Sequence, residues 1–462
     1  MVTLNRLSMA VLLLFLSVTT LCHAKNFGIP TDSIPQRWQY NSEFSQTLPT
    51  DDKWWLHFND KCLDSLISIA VTNNYDVLIA QKRISMAKNA ERIAQSGYYP
   101  GLSIDAGWNK EHLSGTSDDY FNLGLNFNWE IDLFGQITSQ VKSKKALWQA
   151  SKAQYEGTMV SLCANVATAY VNLRTWQTQY VVAMSHINSQ KQILDMTEAR
   201  YKSGLASKLD VTQARTIYLS TLSSISPLEA NIQSQINSIS LLLGIYTDNL
   251  PKSIYSAHYI LPDSSIMIPV GIPADLLRRR PDIRAAEYTV ASYAASIGIA
   301  KKDFLPTLSL NGNIGFKTEK IDDLFNNKSF TYSFTPKLSW TVFDGLSRNY
   351  QLANAKEQYQ IGIDNYNNTV MTAIKEVQNA MIAYHYNTIE THELEKVNEE
   401  ALIALKLSVD LYKRGLSDFT NVLTSQQNYL QYNNSLVSSR GKTLLSLIAL
   451  YQALGGGWNY TD

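Results

Sequence analysis

Residues 121–132 read Phe121-Asn122-Leu123-Gly124-Leu125-Asn126-Phe127-Asn128-Trp129-Glu130-Ile131-Asp132. Odd positions are apolar and even positions polar or glycine, which is the period-two signature of a strand with one apolar and one polar face. Upstream, Leu102, Ile104, Ala106 and Trp108 alternate in the same way after Pro100. The arrangement returns later in the chain. Leu308, Leu310, Ile314 and Phe316 form one run, and Phe330, Tyr332, Phe334, Leu338, Trp340 and Val342 alternate with polar residues in the next. The spacing predicts two strand pairs, over about 102–131 and about 307–342, with polar loops at Asn109–Tyr120 and Lys317–Ser329.

Alternation alone ordinarily marks a half-buried sheet over a soluble core. Here the runs reach about 10 residues, the length a tilted strand needs to cross an outer membrane, and aromatics gather toward the strand ends. Long polar loops fit the same setting. Four strands cannot close a barrel, because the smallest single-chain barrels use about 8. Open edges are not tolerated in lipid, where each unpaired backbone group costs several kcal/mol. Other copies of the chain must therefore complete the wall, and two, three or four copies would all give even strand numbers.

Outward from the strands, the chain repeats itself. Asn74-Tyr75-Asp76-Val77 and Arg280-Pro281-Asp282-Ile283 open two similar stretches, which run through helical patterns to Pro100 and Pro306. Tyr201-Lys202-Ser203-Gly204-Leu205 matches Tyr412-Lys413-Arg414-Gly415-Leu416, and the halves close at Leu243-Gly244 and Leu454-Gly455. The copies lie about 210 residues apart throughout. Each unit reads as helix, strand pair, very long helix, helix. From Gly135 to Tyr201, and again from Gly345 to Tyr412, no proline occurs, which predicts helices of ~100 Å. Val160, Ala164, Ala167 and Val171 are spaced 4-3-4, and Val370, Ile374, Val377 and Met381 repeat that heptad-type seam. Leu228, Ile232, Ile236, Ile239 and Leu243 supply a seam on the helix that follows the first turn.

Residues 1–24 read as a signal peptide: Arg6 is basic, Met9 to Leu16 is apolar, and Cys22-His23-Ala24 ends on a small residue. Cleavage after Ala24 is preferred to lipidation at Cys22, because Leu21 stands where a lipoprotein signal wants a small residue. Cys62 and Cys163 sit in apolar helical patterns and read as buried free thiols. The organisation is then an extended arm at 25–52, a first repeat at 53–247, a proline-rich crossover at 248–272, a second repeat at 273–455 and a tail at 456–462. Across 462 residues, 40 Lys plus Arg balance 40 Asp plus Glu, so no basic surplus points to nucleic acid. Only 17% of residues are charged, against roughly 25% in typical soluble domains. With mean hydropathy at -0.17, the chain is no multi-span helical membrane protein.

Chemistry finds no foothold. His385 and His392 are the one close histidine pair, and Lys396 stands where the zinc-protease pattern begun by His392-Glu393 wants its second histidine. Gly455-Gly456-Gly457 is not followed by a phosphate-binding lysine and reads as a helix terminator. Arg278-Arg279-Arg280 precedes Pro281-Asp282 and reads as a helix entry satisfied by its neighbours. No catalytic residue, metal site or cofactor is expected.

Taken together, Trp54-Trp55, Phe58, Asp60, Asn74-Tyr75-Asp76 and Trp129-Glu130-Ile131-Asp132-Leu133-Phe134-Gly135 resemble the outer-membrane efflux protein family, the TolC-like channels. The most specific stretch is Pro273-Ala274-Asp275-Leu276-Leu277, then Arg280-Pro281-Asp282-Ile283, Ile297-Gly298 and Phe304-Leu305-Pro306. The resemblance covers the mature chain in order. It implies a homotrimer whose four strands per copy complete a twelve-stranded transmembrane β-barrel, continued by a coiled-coil-like helical barrel across the periplasm. The fold class is mixed α/β and mostly α. The implied function is the passive exit duct of a tripartite efflux system, in contact with outer-membrane lipid. Its implied partners are a periplasmic adaptor and an inner-membrane pump of the resistance-nodulation-division or ABC type. An exit channel for type I protein secretion and a periplasmic scaffold are the alternatives.

The resemblance also places the gated tip at the turns around Gly204-Leu205 and Gly415-Leu416, with Tyr412, Lys413 and Arg414 as latch candidates. Many members carry two acidic residues after the second turn. Asn421 and Thr424 hold those positions here, Asp418 lies nearby, and Asp210 is the first-unit counterpart of Asn421. A gate held by hydrogen bonds and packing is expected rather than a ring of carboxylates.

Overall fold

The computed structural model describes Trp38 and residues 53–113, 116–255 and 279–456. The expected signal peptide with Cys22, the rest of the arm, most of the crossover, the Pro273–Arg278 stretch and residues 457–462 lie outside the described residues. Two helices, α1 (Lys61–Asn73) and α2 (Tyr75–Ser96), lead into β1 (Gly101–Leu113) and β2 (Thr116–Ile131). The chain then runs through α3 (Gln136–Lys202), α4 (Lys208–Ser223) and α5 (Ile225–Leu243). The second half repeats the order with α6 (Pro281–Lys302), β3 (Thr307–Thr318), β4 (Phe330–Ser339), α7 (Ser347–Lys413) and α8 (Phe419–Ala453). None of the described helices is long and apolar enough to cross a membrane.

The four strands form one antiparallel sheet in the order β1-β2-β3-β4, so β1 and β4 are open edges. The helical seams are buried as their spacing predicts: Val160, Ala164, Ala167, Val171, Val370, Ile374, Val377 and Met381 all lie in the core. That core centres on Trp54, Trp55, Phe58, Leu66, Tyr170 and Leu173, with Trp54 stacked on Tyr451 at 5.2 Å.

Several motifs quoted above act as joints. Asp60 caps α1 by accepting from the amide of Cys62 at 2.8 Å, and it also accepts from the Tyr170 hydroxyl at 2.6 Å. Asn74 caps α2 and donates through Nδ2 to the carbonyl of Leu242 at 2.9 Å, near the end of α5. Arg280, before α6, does the same in the second unit, donating to the carbonyl of Ala453 at 2.9 Å at the end of α8. Each repeat thus ties the start of its first paired helix to the end of its last. The backbones meet closely there: a Cβ at Gly244, whose φ is 65°, would lie 2.5 Å from the Asn73 carbonyl oxygen. Arg280 is further held by Asp282 and Glu376, so the basic run is satisfied locally at this residue. Where sheet meets helix, Trp129 donates to the carbonyl of Tyr98 and Trp340 to that of Phe304, both at 3.0 Å.

Four expectations need correcting. Strands β1 and β2 run on through the expected loop at Asn109–Tyr120, paired as far as Leu113 with Thr116. Apolar alternation is absent from the sequence there, and Lys110 and Asp119 form an exposed ion pair across the two strands. The last strand stops at Ser339 rather than Val342: the Arg348 guanidinium binds the carbonyls of Thr341 and Asp303 and draws the chain toward α7. The first returning arm is broken at Ser224, three residues before Pro227, whose ring and missing N–H disfavour a continuous helix. Finally, Cys163 is buried, with burial pushing its thiol up to about 12, but Cys62 is only half-buried beside the Ser253 hydroxyl at 3.1 Å.

Candidate functional site

Strand register sorts the sheet into two faces. Ile104, Leu125, Ile314 and Tyr332 are consecutive cross-strand partners, and this apolar row crosses the whole sheet. Leu102, Phe127, Gly312 and Phe334 make a second row. None of the described helices covers them: Ile104 is 74% exposed and Tyr332 77%. On the other face Ser103, Asn126, Asn313 and Ser333 line up. There Asn313 donates to Asn126 at 2.7 Å, and Asn126 donates to Asp105. An uncovered apolar face opposite a hydrogen-bonding amide face is what a wall between lipid and water requires. All of β4 is exposed, which leaves it free to pair with a neighbouring copy.

At the far end of the long helices the two turns come together. Gly204 and Gly415 carry φ of 74° and 75°, the left-handed conformation that ends a helix and favours glycine. Leu205 and Leu416, the next residues, project into solvent. Behind them sits a small separate core of Ile193, Leu194, Val211, Ala214, Tyr412, Phe419 and Val422. Tyr412 packs edge-on against Phe419 at 5.3 Å. Burial first, then the charge of Asp210, pushes the Tyr412 phenol above its ordinary range.

The residue that bridges the two turns is Arg200. Its guanidinium lies 4.8 Å from the centre of the Tyr412 ring and donates to the Lys413 carbonyl at 3.0 Å. Sequence reading missed it, although Ile193, Thr197 and Arg200 recur at helical spacing, the first two buried and Arg200 half-buried. Of the expected latch residues, Tyr412 is inside this small core, and Lys413 contributes its carbonyl. Arg414 pairs with Asp410 on its own helix at 3.0 Å. Asp210 closes a capping box with Ser207. Asp418 begins α8 without a side-chain cap. Asn421 donates to the Ser417 hydroxyl at 2.9 Å, while Thr424, one turn on, is exposed like it.

Next to this core, farther from the turns, lie buried polar residues. Gln190 and Gln426 are each 2% exposed, and among the described residues both amide atoms of Gln190 and Nε2 of Gln426 have no hydrogen-bond partner. His186, one turn farther, is buried against Tyr429 with ring centres 4.9 Å apart and lies 3.5 Å from the amide of Asn433. Burial lowers its pKa below the ordinary histidine range.

The family model described as outer membrane efflux protein matches residues 66–245 and 272–456. The solvent efflux pump outer membrane protein SrpC of Pseudomonas putida is 30% identical over 415 residues, 88% of this chain and 87% of that protein. The cation efflux system protein CusC of Escherichia coli is 28% identical over 411 residues, 88% of each. Among solved structures, the outer-membrane channel OprN has a TM-score of 0.87 and 28% identity, covering 94% of this chain and 99% of that one.

Proposed function

Because this chain belongs to the outer membrane efflux protein family, we propose that it is a passive duct whose gate is the helical tip around Arg200. The duct itself is an outer-membrane exit channel of a tripartite efflux system. Three copies close a twelve-stranded barrel in the outer membrane, and their long helices extend it into the periplasm. An adaptor and an inner-membrane pump feed it. The observation that carries the reading is the pair of faces on one sheet: apolar rows crossing all four strands, backed by an amide row.

The duct performs no chemistry, and the partner pump supplies the free energy. Its cargo is small solutes, a reading supported by relatives named for solvent and cation efflux. The pump is of the resistance-nodulation-division type. Asn421 and Thr424 stand just after the second turn. Their amide and hydroxyl groups offer a cation no fixed countercharge, so closure depends on the packed core behind the turns and the Arg200 bridge.

Ethidium accumulation in a host lacking the chain tests the reading. The wild-type chain is expected to restore low accumulation. If accumulation is unchanged while the protein forms trimers in the outer membrane, the efflux role is overturned.

A further inference from the structure

The loop between β3 and β4 folds outward, onto the apolar face. Two short helical turns, Ile321–Asp323 and Asn327–Ser329, make it compact. Ser329 pins it by donating its hydroxyl to the Asp323 carbonyl at 2.7 Å, and Asn326 accepts from the Lys328 amide. This places the Phe325 ring 5.5 Å from Phe316, which stacks edge-on with Phe330 at 5.9 Å, and Phe330 in turn neighbours Tyr332 at 6.2 Å. Phe316 and Phe330 are direct cross-strand partners on the face whose rows contain Ile314 and Tyr332. Phe325 therefore adds to the apolar surface beside Phe316 and is still 72% exposed, with Ile321 also exposed.

We propose that this loop is a membrane anchor, with Phe325 and Ile321 seated among the acyl chains of the outer leaflet. The inference rests on the barrel reading above. Continuity with the apolar face identifies the occupant. Charge points the same way, because Lys320 and Lys328 are offset by Glu319, Asp322 and Asp323, leaving no cationic surplus to hold lipid phosphates. An aromatic ring and an aliphatic chain held at the boundary suit the interfacial belt of a barrel. The depth is bounded as well. Beyond the pair Phe121–Thr318, β1 and β2 continue as a two-stranded ribbon with unpaired edges, which hydrocarbon does not admit. Phe325 lies against Phe316, two residues short of that limit. The consequence is that the loop leaves the duct's outer mouth clear.

The test places p-benzoylphenylalanine singly at positions 325, 321, 332 and 333 of the full chain. Each variant is irradiated in native outer membrane, and the adducts are weighed as intact protein. Lipid adducts at 332 and 325, with none at 333 on the amide face, are the expected result. A lipid adduct at 332 with a crosslink to a second copy at 325 assigns the loop to the neighbouring subunit and overturns the proposal. A lipid adduct at 332 with no adduct at 325 or 321 places the loop in water and also overturns it. Position 321 carries the test if the 325 variant does not fold. Absence of lipid at 332 itself would strike the barrel reading instead.

Discussion

Helices α3 and α7 are each 67 residues long and descend from the same repeat, yet α3 buries 27 residues and α7 only 12. The extra burial in α3 comes from Met159, Leu162, Tyr170, Leu173 and their neighbours, against which α1 and the Trp54–Phe58 turn pack. Helix α7 keeps the heptad seam but along its length presents Tyr350, Ile361, Met371, Ile403 and Leu407 to the outside. Duplication gave both helices the same stripe, and one of them then became the axis of the subunit. The other carries apolar residues that only further copies or partners can cover. Burial within one chain thus separates residues that hold the subunit from residues that hold the assembly.

The sharpest way to break this comparison is a matched pair of truncations. Leu173→Ala, at a fully buried site in α3, is expected to cost ~2–5 kcal/mol, read as a lower urea midpoint of the detergent-solubilised protein. Met371→Ala on the exposed flank of α7 should leave that midpoint nearly unmoved and lower the trimer fraction on native gels. An unchanged trimer fraction would mean this flank faces water.

The tip offers a milder contrast between the same two arms. Arg200, from α3, reaches across to the second turn, whereas Arg414, from that turn, pairs within its own helix. Arg200→Ala is expected to weaken closure by about 1–2 kcal/mol, seen as raised single-channel conductance in planar bilayers. Arg414→Ala should leave conductance near wild type, and equal effects would erase the distinction.

A smaller gain is expected from Gln190→Leu, which removes a buried amide lacking partners. It should stabilise the closed tip by roughly 1 kcal/mol and lower the open fraction in the same recordings. If conductance rises instead, the buried polar residues support closure rather than weakening it.

The smallest effect is a pH dependence. His186 has a depressed pKa in the folded tip, so on acidification the unfolded state binds a proton first. The folded tip should therefore lose stability, read as a falling urea midpoint, as pH falls below the ordinary histidine range near 6.5, until the folded-state pKa is passed. Lys406 and Lys413 line the same groove. In His186→Asn this slope should flatten.

Much of this architecture was legible in the sequence, because lipid and coiled-coil seams impose strict periods on apolar residues. The row through Ile104, Leu125, Ile314 and Tyr332 and the two 4-3-4 seams were visible for that reason. What escaped was polar. The overhang of β1 and β2 has no apolar period to betray it. The interruption at Ser224 was masked because Leu228 to Leu243 resume the stripe immediately after Pro227. Leu346 takes a left-handed φ of 69° at the start of α7, where nothing in its side chain advertises the turn. Arg200 was passed over because a charged residue near a helix end reads as solvated, and its packing on the Tyr412 ring depends on a partner 212 positions away.

The open edges of the sheet have a genetic consequence. Each subunit offers β1 to one neighbour and β4 to the other, so a copy with one edge blocked still occupies a place in the ring and leaves a gap in the wall. When blocked and normal alleles are expressed together, intact rings form in proportion to the cube of the normal fraction. An edge lesion is therefore dominant, whereas loss of the same gene is recessive.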